Sequence, residues 1–259
     1  MQSGQRRATF CDFMKVSRPA SPHELQRAYY ERTASSYRTL HEREGSAHDR
    51  ALRVIVPMLD MLEARSVLDV GAGAGRALRH FSSQRPKLEL HGIEPVASLV
   101  REAEQAGVAP GTIQLGSGDA LPFQDASIDV LTAFGVLHHV ADPSHVIREM
   151  LRVARRAVFI SDSNRFGQGR PAVRYAKLAL RALGLWPLFD LVRTRGRGYM
   201  TSEGDGLFYS YSIFDSMRSL REWAPELMLV ELETASTVIG PWADPLCNAS
   251  TLLVGAIRR

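Results

Sequence analysis

The chain has 259 residues, which suits one large domain with additions, or at most two small ones, with a core that needs no staples. Hydrophobic residues make up 45% and charged residues 23%, an ordinary balance for a soluble globular protein, and the net charge is only mildly basic at +4. The two cysteines, Cys11 and Cys247, form no metal pattern and no disulfide framework, so a reducing, cytoplasmic location is the default expectation.

Met1 to Phe10 carries Arg6 and Arg7 without an apolar stretch after them, so it does not read as a signal peptide. The stretch to Arg18 holds one acid, Asp12, which gives a transit peptide only weak support. No apolar run approaches the ~20 residues of a membrane span. Residues 1–50 read as a polar arm followed by a helix that Ser21 and Pro22 open well, carrying Tyr29, Tyr30 and Tyr37. These tyrosines either close a cofactor site from the N-terminal side or form a helical core stripe.

Residues 51–162 alternate between strand and helix patterns. Strands are expected at Ser66–Val70, Leu88–Ile93, Thr112–Leu115, Ile128–Ala133 and Ala157–Ser161. Helices are expected at Gly73–Phe81, Val96–Gln105 and Pro143–Val153. This alternation implies a parallel sheet covered on both faces. Residues 163–225 break the rhythm and read as an inserted cap, with helical pieces at Ala172–Leu183 and Ser212–Trp223. Residues 226–259 return to strands at Leu227–Thr234 and Thr251–Ile257, which suggests an antiparallel pair at one sheet edge.

The strongest local signal is Asp69-Val-Gly71-Ala72-Gly73-Ala-Gly75. A buried strand runs into a glycine turn and then a helix, whose free N–H groups and dipole favour ligand binding. The spacing is GxGxG, unlike the GxGxxG of dinucleotide folds. Asp69 suits an ammonium group, directly or through water. Glu94, ending the second strand, can accept both hydroxyls of a ribose, or it can cap the next helix. Asp119, after the third strand, can accept from an adenine amino group, or it can hold a turn.

In this order and spacing the chain resembles the class I, Rossmann-like, S-adenosylmethionine (SAM)-dependent methyltransferases that act on small molecules. The resemblance rests on VLDVGAGAGR (67–76), GIEP (92–95), GDALPF (118–123) and IDVLTAFGVLHHVADP (128–143), and covers roughly 51–162 plus the last two strands. It implies a doubly wound, seven-stranded, mostly parallel α/β sheet with an antiparallel last strand. It implies SAM as cofactor, with Asp69 and Gly71 to Gly75 at the amino acid end, Glu94 at the ribose and Asp119 with Ala120 at the adenine. Phe134 would lie beside the sulfonium and the acceptor.

The acceptor side is less defined. An oxygen acceptor must lose its proton, and His138 and His139 are the candidate bases, with Asp162 orienting a His or binding the acceptor. The alternatives are a His that caps Asp142 or the helix from Pro143, and an Asp162 that holds a turn. Between Arg165 and Arg197 lie eight Lys or Arg and one acid, Asp190, either an electropositive wall for an anionic substrate or a solvated face. Glu203, Asp205 and Tyr209 fall in a glycine-rich stretch that reads as a mobile gate or as a surface turn before core aromatics. The expected function is methyl transfer to a hydroxyl of a small molecule. RNA methylation and a non-catalytic SAM-binding partner are the alternatives. RNA is disfavoured because the fourth strand ends in Ala133-Phe-Gly-Val136 and not in a [DN]-P-P-[YF] loop. No metal is expected.

Overall fold

The computed structural model describes residues 21–234 and 237–258. Cys11 and the expectations for Met1 to Arg18 lie outside these residues. Helix α1 (Pro22–His41) starts where Ser21 and Pro22 place it. Ser21 Oγ accepts from the Glu24 N–H at 3.3 Å, and the Glu24 carboxylate accepts from the Ser21 N–H at 2.6 Å. Helix α2 (Ala47–Met61) follows, and it crosses the expected boundary at residue 50. Its Ala51, Leu52, Ile55, Val56 and Leu59 recur at helical spacing and pack on the sheet.

Then β1 (Ser66–Val70), α3 (Arg76–Gln84), β2 (Glu89–Glu94), α4 (Ala97–Gln105), β3 (Ile113–Leu115), β4 (Ile128–Phe134), α5 (Pro143–Val153) and β5 (Ala154–Ser163) alternate as the sequence pattern implies. The cap holds α6 (Pro171–Ala182), α7 (Trp186–Arg193), a hairpin of β6 (Tyr199–Ser202) and β7 (Gly206–Tyr209), and α8 (Met217–Trp223). Strands β8 (Glu226–Thr234) and β9 (Ala249–Ile257) finish the sheet.

The seven-stranded sheet has the order β3-β2-β1-β4-β5-β9-β8, and β6 pairs only with β7. Strands β1 to β5 are parallel, while β9 runs antiparallel to both β5 and β8. The last strand therefore lies inside the sheet and β8 forms its edge. Side chains alternate between the two faces. Val67, Val130, Ala157 and Phe159 pack with α2 and α3. Leu68, Leu131, Val158 and Ile160 pack with α5 and α8. Burial on both faces explains why these strands read as continuous apolar runs. The chain turns back between β1 and β4, so a crevice opens beyond their C-terminal ends.

Candidate cofactor and catalytic site

At that crevice lies a cavity of about 660 Å³ whose wall includes Gly71, Gly73, Glu94, Asp119, Phe134, His139 and Tyr209. This size is typical of small-ligand sites. The glycine turn is held by its own N–H groups. Gly71 and Ala72 donate to the Ile93 carbonyl at 2.8 and 3.0 Å, and Gly73 donates to the Glu94 carboxylate at 2.9 Å. Gly71 and Gly73 have φ of 72° and 54°, a region that disfavours side chains. A Cβ on Gly71 would meet Val136 at 2.5 Å, and one on Gly73 would meet the Tyr37 hydroxyl at 3.0 Å. Both glycines keep the cavity wall bare. Gly75 and Ala72 do not line the cavity: Gly75 opens α3 against Ala103 and Val108, and Ala72 belongs to the cluster around Leu78.

The acids divide. Glu94 reaches the wall, where its second oxygen accepts from the Val96 N–H at 3.0 Å. Burial pushes its carboxyl up to about 7 despite the two backbone donors. Asp119 is exposed on the wall and accepts from the Ser117 hydroxyl at 3.0 Å, while Ala120 is exposed but off the wall. Asp69 is buried behind the wall, accepts from the Thr132 hydroxyl at 2.7 Å, and is likewise pushed up to about 7 by burial. Its carboxylate therefore anchors the end of β1 to β4 and does not itself line the cavity.

Helix α1 and the β6–β7 hairpin cover the opposite side. Tyr30 and Tyr37 line the cavity, so the tyrosine stripe is a wall as well as a packing surface. Gln26 joins the two covers: its side-chain oxygen accepts from the Leu207 N–H, and its amide donates to the Asp205 carbonyl at 3.3 Å. Tyr29 donates to the Glu203 carbonyl at 2.5 Å. Glu203 to Asp205 form the turn of a hairpin that α1 clasps. Glu203 contributes its backbone, and its exposed side chain is off the cavity wall.

The two histidines have different environments. His138 Nδ1 lies 2.7 Å from the buried Asp162 carboxylate, and its Nε2 lies 3.3 Å from Asp205. Burial opposes its charge, but the two carboxylates win and raise the imidazole to about 10. Burial alone would raise Asp162, yet the His138 charge and hydrogen bond hold its carboxyl below the usual range. Asp162 also accepts from the Leu137 N–H at 2.8 Å, which fixes the turn that carries both histidines. His138 is therefore a held cation and a poor proton acceptor.

His139 faces the cavity. Its Nδ1 lies 2.6 Å from the Leu207 carbonyl and 3.1 Å from the Gln26 amide nitrogen. Its Nε2 lies 3.1 Å from the Tyr30 hydroxyl, with an Asp205 oxygen 3.4 Å away. Neither histidine caps the helix from Pro143; the Asp142 carboxylate does so, accepting from the Ser144 N–H at 3.1 Å. His138, His139 and Asp205 are also the group among the described residues whose ligand atoms lie close enough, within 4.8 Å, to hold a metal ion. Sequence reasoning named all three for other roles. It missed Gln26, and also His48, whose Nδ1 lies 2.9 Å from the Ser161 hydroxyl and which burial depresses to about 3. A single Gln or His in an amphipathic helix gives no signal of such a partner.

Of the two readings of the basic cap, the exposed positions of Arg170, Arg181, Arg195 and Arg197 fit the solvated face. No Lys or Arg between 165 and 197 lines the cavity; Arg27 of α1 does. Arg165 is buried, paired with Asp215 at 2.7 Å, bonded to the Ser210 carbonyl at 2.6 Å and stacked on Phe166 and Trp186. These partners direct it into the cap, away from any substrate in the cavity.

Residues 68–160 match the methyltransferase domain family. The chain is 41% identical over 91 residues to an uncharacterized methyltransferase of Mycobacterium sp. (strain KMS), covering 35% of this chain and 35% of that protein. It is 33% identical over 106 residues to the uncharacterized methyltransferase YcgJ of Bacillus subtilis (strain 168), covering 38% and 41% respectively. The match thus spans well under half the length of these curated relatives. The fold is similar to that of magnesium protoporphyrin IX methyltransferase from Synechocystis PCC 6803 with bound SAM, with a TM-score of 0.57 and 15% identity over 94% of this chain and 100% of that one. It is also similar to a SAM-dependent methyltransferase from Thermotoga maritima, with a TM-score of 0.54 and 16% identity over 90% of this chain and 100% of that one. No helix among the described residues is long and apolar enough to cross a membrane.

Proposed function

We propose that the chain, whose residues 68–160 match the methyltransferase domain family, uses SAM to methylate a hydroxyl group of a small molecule, with His139 as the base. The observation that carries this reading is one cavity that joins Gly71, Gly73 and Glu94 to His139. The bare glycine wall and the buried Glu94 carboxylate fit a SAM nucleoside and amino acid chain, with Asp119 at the adenine end. Asp69 would act through the shape of the turn. Phe134 and Tyr209 would flank the reacting groups. Bound SAM supplies a methyl group already activated on its sulfonium.

The protein's own residues then have two tasks. Helix α1 and the hairpin exclude water and orient the acceptor. The Tyr30 hydroxyl marks the point where an acceptor hydroxyl would meet His139 Nε2. The acceptor proton passes to Nε2 as its oxygen takes the methyl group, and the new imidazolium faces Asp205. Asp162 and His138 position the turn and hold Asp205 in place. The enclosed cavity favours a small acceptor over RNA, and the basic residues of the cap, being off its wall, give no support to an anionic one. The same enclosure with a poised His139 favours turnover over a purely SAM-binding role.

The test is release of S-adenosylhomocysteine with a panel of phenols, alcohols and amines. Transfer to a hydroxyl that collapses in His139→Ala, with SAM affinity retained, is the expected result. Equal turnover by wild type and His139→Ala removes His139 as the base. SAM binding without turnover on any acceptor favours the non-catalytic reading.

A further inference from the structure

Helices α6 and α7 are built inside out. Along α6, Ala172, Tyr175, Ala176, Ala179 and Ala182 form an apolar stripe at helical spacing, continued by Leu183, and all of them are exposed. The inward face carries the cations instead. Arg174 is 2% exposed and donates to the carbonyls of Gly169, Thr237 and Cys247. Lys177 donates to the carbonyls of Arg165 and Gln168 at 2.6 and 3.0 Å. On α7, Trp186 and Asp190 turn inward, while Leu188, Leu191 and Val192 face out together with Leu185 just before the helix. Leu183 and Val192 are each 70% exposed and Leu188 is 61% exposed. Trp242, 73% exposed, stacks on Tyr175 with ring centroids 6.1 Å apart and extends the patch.

A contiguous exposed apolar surface of this kind marks a binding face. Its charge selects the occupant. Arg170, Arg181, Arg195 and Arg197 are exposed around the stripes and have no carboxylate partner among the described residues. The one acid of the segment, Asp190, is paired with Arg193 at 2.7 Å. A second copy of the chain would bring like charges together, and a nucleic acid would leave the leucines and valines without a partner. An anionic bilayer surface satisfies both features: its acyl boundary takes the apolar stripes, its headgroups take the arginines, and Trp242 and Tyr175 suit the interface between them.

We propose that the α6–α7 hairpin, with Trp242, is an interfacial anchor that lays the cap on an anionic lipid surface without spanning it. The experiment is flotation of the full chain with vesicles of phosphatidylcholine alone and with added phosphatidylglycerol. Co-flotation with the anionic vesicles is expected, weakening as salt is raised and falling at least ~10-fold in Leu188→Glu/Val192→Glu. A thermal shift with S-adenosylhomocysteine confirms that this variant keeps its fold and its cofactor site. Arg181→Glu/Arg195→Glu should lose the anionic preference alone. Three outcomes overturn the proposal: no flotation with anionic vesicles at low salt, flotation unchanged in the Leu188/Val192 variant, or concentration-dependent self-association without lipid that this variant abolishes.

Discussion

The two walls of the cavity are held by different kinds of bonds. Under the cofactor, the wall is backbone held by near neighbours at the ends of adjacent strands: Gly71 and Ala72 on Ile93, Gly73 on Glu94. On the opposite side, it is side chains reaching across the chain: Gln26 to Leu207, His138 to Asp205, His139 to Leu207. The first wall tolerates little change in shape, because its turn has positive φ and no room for a Cβ. The second depends on charge and protonation, and it can be loosened one contact at a time.

The largest expected effect falls on the backbone wall. Gly73→Asp places a side chain against Tyr37 on a φ of 54°, and SAM affinity should drop by ~100-fold or more in calorimetry while the circular dichroism spectrum is retained. Affinity within a few-fold of wild type would break the distinction between the walls. His139→Ala should leave SAM affinity intact and slow hydroxyl methylation by ~10²–10⁴-fold, the usual range for a lost general base.

The contact between His138 and the β6–β7 hairpin depends on charge. His138 sits at about 10 when folded, against an ordinary 6.5, because Asp162 and Asp205 outweigh burial. Its stabilising contribution is complete below about 6.5 and is lost as pH rises through about 10. The melting temperature should therefore fall from pH 7 to pH 10.5, with a shallower slope in His138→Asn and in Asp205→Asn. Parallel curves for all three proteins would show that the hairpin is held without help from the His138 charge.

The smallest effect concerns Glu94. Its carboxyl is raised to about 7 from an ordinary 4.5, so it favours the fold when protonated and loses that contribution as pH rises through about 7. Glu94→Gln should flatten the decline in melting temperature of the ligand-free protein between pH 4.5 and 7.5, without removing it, because Asp69 is shifted in the same direction.

The same contrast explains what the sequence disclosed. Strands β1 to β4 start and end within a residue or two of their expected positions, and in β1 and β4 an apolar run buried on both faces announces itself locally. The glycine turn and Glu94 were legible because each sits at the end of a strand, and Asp119 because it lies in the short turn that follows β3. Helix α7 and the β6–β7 hairpin were not legible. The apolar face of α7 points outward, against the usual rule, and the hairpin's register is supported by Gln26, 181 residues away from Leu207. Arg165 illustrates the limit. A run of arginines shows that charge is present, but the inward path of one guanidinium to Asp215 depends on a partner fifty residues away.

The placement of β9 has a consequence for biosynthesis. Strand β5 pairs with β4 on one side and with the last strand on the other. Until residues 249–257 leave the ribosome, one edge of the apolar segment Ala157–Ile160 stays unpaired, a template for joining other nascent chains. The same pairing sets Asp162 opposite Leu252. The carboxylate that holds His138 thus reaches its final position only once β9 has been made and has paired, and a chain truncated before β9 should aggregate before it can acquire a working site.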